Sequence, residues 1–364
     1  MSADLPRYRH PAEWEPHEAT WLCWPHSRKD WPGKLAAVQW DFADMVRRLA
    51  STGEPVRIIV GSPQHERVVR AILDASGAPL HHVEFYRIPS DRSWTRDAGP
   101  IFAEAIGQPR PVVLHFAFNA WAKYPDWHND AEIARHVAEL LGLVRMEPMH
   151  RGRRVVLEGG AFDVNGRGTV LVTEECLLDE HIQVRNPGFT REDYQAVFAE
   201  WLGASHVVWL ARGLVGDDDT HGHVDDVCRF VNPTTIVYAI EHRSHDENHA
   251  RLKENLERLQ SARLENGERP TLVPIPMPEP LTFRGRRLPA SYLNFYIGNH
   301  VVLVPTFNDP HDRLALGILA DLFPDRTVVG IHAVDLLLGL GSVHCLTHEQ
   351  PRLTSLGAEP ATAT

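Results

Sequence analysis

Asp163-Val-Asn-Gly-Arg-Gly168 joins two apolar runs, the second of which is Thr169-Val-Leu-Val-Thr173. An Asn-Gly pair between such runs is a strong short-range signal for a hairpin. Behind it come a helical pattern, Thr190 to Leu202, and a further β-rich run, His206 to Leu210. Strand, turn, strand, helix, strand is a mixed unit, because the turn forces an antiparallel pair and the helix allows a parallel return. A purely parallel doubly wound sheet is therefore excluded. The pattern recurs around Asn232-Pro-Thr-Thr235, which joins Val227 to Val231 with Thr235 to Ile240, and around Gly298-Asn299, between Leu293 to Ile297 and His300 to Val304.

Further strands are expected at Val56 to Val60, Val112 to Phe116, Val155 to Leu157 and Thr327 to Gly330, and further helices at Lys34 to Leu49, Asp130 to Leu141, Asp246 to Leu264 and Asp309 to Leu322. Pro270 to Pro280 reads as a proline-rich surface loop. With 364 residues, 43% hydrophobic and 23% charged, the chain can bury a substantial core. Residues 1–356 are expected to form one catalytic domain and 357–364 a frayed tail. The net charge of −11 disfavours nucleic acid and anionic membrane and suits a cationic ligand. Cys23, Cys176, Cys228 and Cys345 are widely spaced with no Cys-x-x-Cys pair, which argues for reduced thiols and against a disulfide framework. No apolar segment suits a signal peptide and nowhere do eighteen apolar residues run together, so the expectation is a soluble cytoplasmic protein.

Four stretches carry residues suited to chemistry. Cys345 lies in Gly339-Leu-Gly-Ser-Val-His-Cys-Leu-Thr347, where Gly339 and Gly341 can supply a turn that exposes a nucleophilic sulfur. Gly216-Asp-Asp-Asp-Thr-His-Gly-His-Val-Asp-Asp226 precedes an apolar run; if the strand starts there, alternation puts His223 and Asp225 on one face. An acidic surface turn fits the same letters, and His221, His223 and Asp225 also have the ligand types of a divalent metal site. Ser93-Trp-Thr-Arg-Asp-Ala-Gly99 offers Trp94 as an aromatic wall and Asp97 as a carboxylate, a pairing that would hold a planar cation. Val155-Val-Leu-Glu-Gly-Gly160 sets Glu158 at the end of an apolar strand, where it needs a histidine or amide partner. Asn294, in the hairpin before Gly298, is a further polar candidate.

Taken in order, these motifs resemble the agmatine deiminase and bacterial peptidylarginine deiminase family, within the guanidino-modifying superfamily. The resemblance extends from Pro11-Ala-Glu-Trp-Glu-Pro-His-Glu18 to His344-Cys-Leu-Thr-His-Glu-Gln-Pro351. It implies an α/β fold, the five-module α/β-propeller (pentein) with pseudo-fivefold ββαβ-type units. It implies hydrolytic deimination of a guanidino compound, foremost agmatine, with arginine-like or peptidyl-arginine substrates and amidino transfer as alternatives. Residue by residue, Cys345 matches the nucleophile, His223 the general acid and base, and Glu158 the acid that orients it. Asp97 and Asp225 match the carboxylates that grip the guanidinium, and Trp94 and Asn294 match residues lining the site. No metal or organic cofactor is implied, and a homo-oligomer is the family expectation. The chain departs from the family at Phe118-Asn-Ala-Trp-Ala-Lys-Tyr124, where Lys123 stands in place of a glycine; facing inward it would favour a substrate carboxylate over an ammonium.

Overall fold

The computed structural model describes residues 7–352. They form a mixed α/β fold in which five sheets repeat one connectivity. In the hairpin around Asn165, Phe162–Val164 runs antiparallel to Thr169–Thr173 with Phe162 opposite Val172. The Asn165 carboxamide oxygen accepts from the amides of Arg167 and Thr169, which closes the turn. Helix Arg191–Val197, opened by a Thr190/Asp193 capping box, then carries the chain to His206–Leu210, which lies parallel to Thr169–Thr173. The expected Thr190 to Leu202 helix thus ends early, and its last turn, Phe198–Leu202, widens to π geometry before left-handed Gly203.

The same order recurs in Cys228–Asn232, Thr235–Ile240, helix Glu247–Ser261 and Thr271–Pro276, and again in Tyr296–Ile297, Val301–Thr306, helix Asp312–Leu322 and Thr327–His332. A fourth sheet orders Tyr8–Arg9, Ile101–Ala105, Val112–Leu114 and Arg145–Met146, with helix Ile133–Leu141 before its parallel strand. The fifth joins the two ends of the chain: Thr347–Pro351 pairs antiparallel with His17–Cys23, which continues parallel to Val56–Val60 and Val83–Arg87 through helices Leu35–Ala50 and Pro63–Ala75.

Three expectations are corrected. Pro270 to Pro280 contains a strand, Thr271–Pro276, which tolerates Pro274 and Pro276 because it is the edge strand of its sheet. Val155 to Leu157 forms only a bridge, Val156 to Ala117. His223 and Asp225 do not alternate along a strand: His223 caps a 3-10 turn, Val224–Asp226, and the strand begins at Cys228. Residues 357–364, read as a tail, lie outside the described residues. Among the described residues no helix is long and apolar enough to cross a membrane.

Candidate active site

The loop that carries Cys345 follows a 3-10 turn, Leu336–Gly339, and reverses at Leu340, whose φ is +69°. The reversal is therefore made by a leucine, not by the flanking glycines. Those glycines are required by contact: a Cβ on Gly341 would stand 2.6 Å from the Trp94 ring and 3.2 Å from Cys345 Sγ, and one on Gly339 would stand 2.8 Å from both Trp94 and Trp31. The two indoles pack with centroids 5.3 Å apart, so the loop lies against an aromatic wall.

Asn294 organises this loop. Its Oδ1 accepts from Ser342 Oγ at 2.8 Å and from the His344 amide at 3.0 Å, while its Nδ2 donates to Cys345 Sγ and to Asp225 Oδ2, both at 3.2 Å. Asp225 Oδ2 also accepts from His344 Nδ1 at 2.7 Å and faces Cys345 Sγ at 3.8 Å. Asp225 Oδ1 is buried with no hydrogen-bond partner. On the other side, Asp97 belongs to the one-turn helix Thr95–Ala98; its Oδ1 accepts from the Gly160 amide at 3.1 Å and its Oδ2 from Trp121 Nε1 at 2.9 Å. Gly160 can donate because it has no side chain: a Cβ there would lie 2.6 Å from His223 Nδ1 and 2.9 Å from Asp97 Oδ1.

His223 sits between two acids, with Nδ1 3.7 Å from Asp97 Oδ1 and Nε2 3.9 Å from Glu158 Oε2. Glu158 is fully buried, and its other oxygen accepts from Arg185 Nε at 2.9 Å. Its partner is thus an arginine that the sequence reading missed, with His223 second. Burial alone would raise the Glu158 carboxyl, but the Arg185 guanidinium and His223 hold it down at about 2. Asp97 goes the other way: burial, with the Asp225 and Glu158 charges, lifts it to about 6 against the pull of His223 and Trp121. Burial would also raise Asp225, yet His344 and then His223 and Arg229 draw it down. Burial tends to discharge His223, and the charge of Asp97 first, then the neighbouring Cys176 and Glu158 side chains, raise it well above an ordinary imidazole. The Cys345 thiol is raised by burial and by Asp225, Asp226 and Asp97, so without a cation it keeps its proton.

The seven residues singled out in the sequence therefore converge. A narrow recess lies between Trp94, Asp97, Trp121, Asp219, Thr220 and Cys345, and a wider one of about 340 Å³, lined by Tyr124, Asp219, Arg286 and Leu340 among others, shares its rim. Lys123 is turned onto Asp219, 3.0 Å from its Oδ1, and the Tyr124 hydroxyl donates to the same carboxylate. Trp121 was missed as a site residue, although Phe118-Asn-Ala-Trp carried it; it sits in a left-handed run from Ala120 to Ala122 that turns the indole onto Asp97. His221 leaves the proposed metal triad, because its Nε2 meets Asp179 Oδ2 at 2.9 Å. Among the described residues the ligand-type atoms that do cluster belong to Glu158, Cys176 and His223.

The family model described as Porphyromonas-type peptidyl-arginine deiminase matches residues 9–351. Agmatine deiminase of Stutzerimonas stutzeri (strain A1501) is 36% identical over 368 residues, covering 94% of this chain and 95% of the relative, and that of Pseudomonas aeruginosa (strain LESB58) is 34% identical with the same coverage. The solved agmatine deiminase of Enterococcus faecalis superposes with a TM-score of 0.85 at 29% identity, over 95% of this chain and 96% of that one. The chain belongs to the Porphyromonas-type peptidyl-arginine deiminase family.

Proposed function

We propose that this chain hydrolyses agmatine to N-carbamoylputrescine and ammonia through a covalent intermediate on Cys345. The observation that carries the reading is the uncompensated negative charge beside the sulfur: Asp97 lifted to about 6, Asp225 with one buried oxygen unpartnered, and a thiol that those charges keep protonated. A guanidinium placed between them relieves all three at once. It is planar and always charged, so the two carboxylates both neutralise it and fix its plane.

With the cation bound, the Cys345 thiol gives up its proton to solvent, and the thiolate attacks the guanidinium carbon. The tetrahedral adduct collapses as His223 gives its proton to the departing nitrogen, ammonia leaves, and an S-alkylthiouronium remains on Cys345. Neutral His223 then takes a proton from water, whose oxygen adds to the same carbon. Expulsion of the thiolate yields the ureido product. Glu158, anchored by Arg185, fixes the ring throughout.

Agmatine is favoured over a guanidino acid because both curated relatives carry that name and because the charge of Lys123 is already engaged by Asp219. The five repeated units closing into a propeller about the recess, a single catalytic domain over 1–356, cytoplasmic placement and homo-oligomer assembly belong to the same proposal. Ammonia release from agmatine, arginine, shorter and longer guanidino acids and an arginyl peptide tests it, with Cys345→Ala as control. Release from agmatine above all others is expected; preference for a guanidino acid would keep the mechanism and overturn the substrate.

A further inference from the structure

The backbone that presents Cys345 to the recess turns the preceding side chain the opposite way. His344 lines a separate small cavity of about 20 Å³ with Glu13, Arg96, His348 and Glu349, while Cys345 lines the recess. His344 Nδ1 lies 2.7 Å from Asp225 Oδ2, and its Nε2 lies 2.7 Å from Glu13 Oε2. Each ring nitrogen faces a carboxylate oxygen. A neutral imidazole has one N–H and could satisfy only one of these contacts; the imidazolium satisfies both. Glu13 is in turn fixed by Arg96 Nη2 and Arg229 Nη2, each at 3.0 Å, and by the Ile297 amide donating to its Oε1 at 2.8 Å. The groups facing Asp225 are thus His344, Asn294, Cys345, His223 and, farther off, Arg229.

We propose that His344, held as an imidazolium by Glu13, is a positioning residue that keeps Asp225 ionised and turned toward the substrate guanidinium. This rests on the reading of Asp225 as a guanidinium-binding carboxylate. Asp225 sits beside another acid, Asp226, and near Asp97, so without a fixed cation behind it its proton would return and its grip on the substrate would fail. The charge is supplied at Oδ2, which leaves the buried Oδ1 without a hydrogen-bond partner of its own.

The test is His344→Gln, which can still donate one hydrogen bond to Asp225 but carries no charge. For whichever guanidino compound the parent chain turns over, kcat/KM of the variant should fall about tenfold more at pH 6 than at pH 8, which requires the Asp225 carboxyl, stripped of its fixed cation beside Asp226 and Asp97, to rise by about three units or more from its lowered value. Equal losses at both pH values would mean that His344 serves only the fold, and would overturn the proposal. Nitrogen-15 spectra of the histidine-labelled parent chain give a second reading that needs neither turnover nor a stable variant at position 344. The resonance shifted by both Glu13→Gln and Asp225→Asn, which among the described histidines His344 alone contacts together, should carry two protonated nitrogens at pH 7; a neutral tautomer there would contradict the inference. If the parent chain turns over no guanidino compound, the proposed function falls, while the nitrogen-15 result still decides the state of His344.

Discussion

Glu158 and Asp97 flank the same imidazole, and both are buried, yet they belong to different kinds of surroundings. Glu158 is locked to Arg185, and its carboxyl is held at about 2. Asp97 receives only a backbone amide and an indole N–H, and it rises to about 6. A carboxylate paired with a fixed arginine is part of the scaffold; one left short of positive charge is poised for a cation that arrives from outside. The layer behind the recess follows the first pattern, with Arg96 between Glu13 and Glu349 and Arg229 between Glu13 and Asp163. In the site itself Asp97 follows the second, whereas Asp225 is paired with His344 through one oxygen and keeps the other unpartnered.

The contrast can be broken at its centre first. Cys345→Ala should lower turnover by about 10⁴-fold or more while guanidino binding, followed by calorimetry, survives. Retained turnover would remove the covalent step. Next, Glu158→Gln leaves Arg185 buried without its counter-charge and should cost about 3–5 kcal/mol of stability in a urea titration. Asp97→Asn should do the reverse: kcat/KM falls by about 10–100-fold, the loss of one charge-assisted contact, while stability at pH 8 is unchanged or rises. A stability loss as large as that of Glu158→Gln would show that Asp97 is scaffold after all.

The pH dependence sharpens the same comparison. The depressed Glu158 contributes stability that is complete above its unfolded value near 4.5 and is lost as pH falls toward about 2. The raised Asp97 acts oppositely, because the native state binds its proton more tightly and loses stability as pH rises through about 6. Since the substrate needs Asp97 ionised, kcat/KM should decline about tenfold per unit below pH 6. A profile flat down to pH 4 would contradict that assignment.

Much of this was legible in the sequence where the signal is local. Asn165-Gly166 and Asn232-Pro233 marked their hairpins, and the apolar spacing from Leu35 to Leu49 marked a helix. Thr271–Pro276 was hidden because its prolines argue against a strand, and only its edge position permits them. Strand alternation predicts that His223 and Asp225 share a face; a 3-10 turn brings both next to Gly160 instead. Arg185, Trp121 and Glu13 were not legible as site residues. Each acts on a partner 24 or more residues away in the chain, and no spacing rule connects them.

The central claim is that Cys345 carries the amidine carbon of the substrate. Intact-mass analysis of the chain, quenched in acid within milliseconds of mixing with agmatine, tests it most directly. The account predicts a population heavier by the mass of agmatine less ammonia, mapped to the peptide that contains Cys345 and absent from Cys345→Ala. Steady ammonia release with no adduct at any quench time, or an adduct that persists in Cys345→Ala, would contradict it.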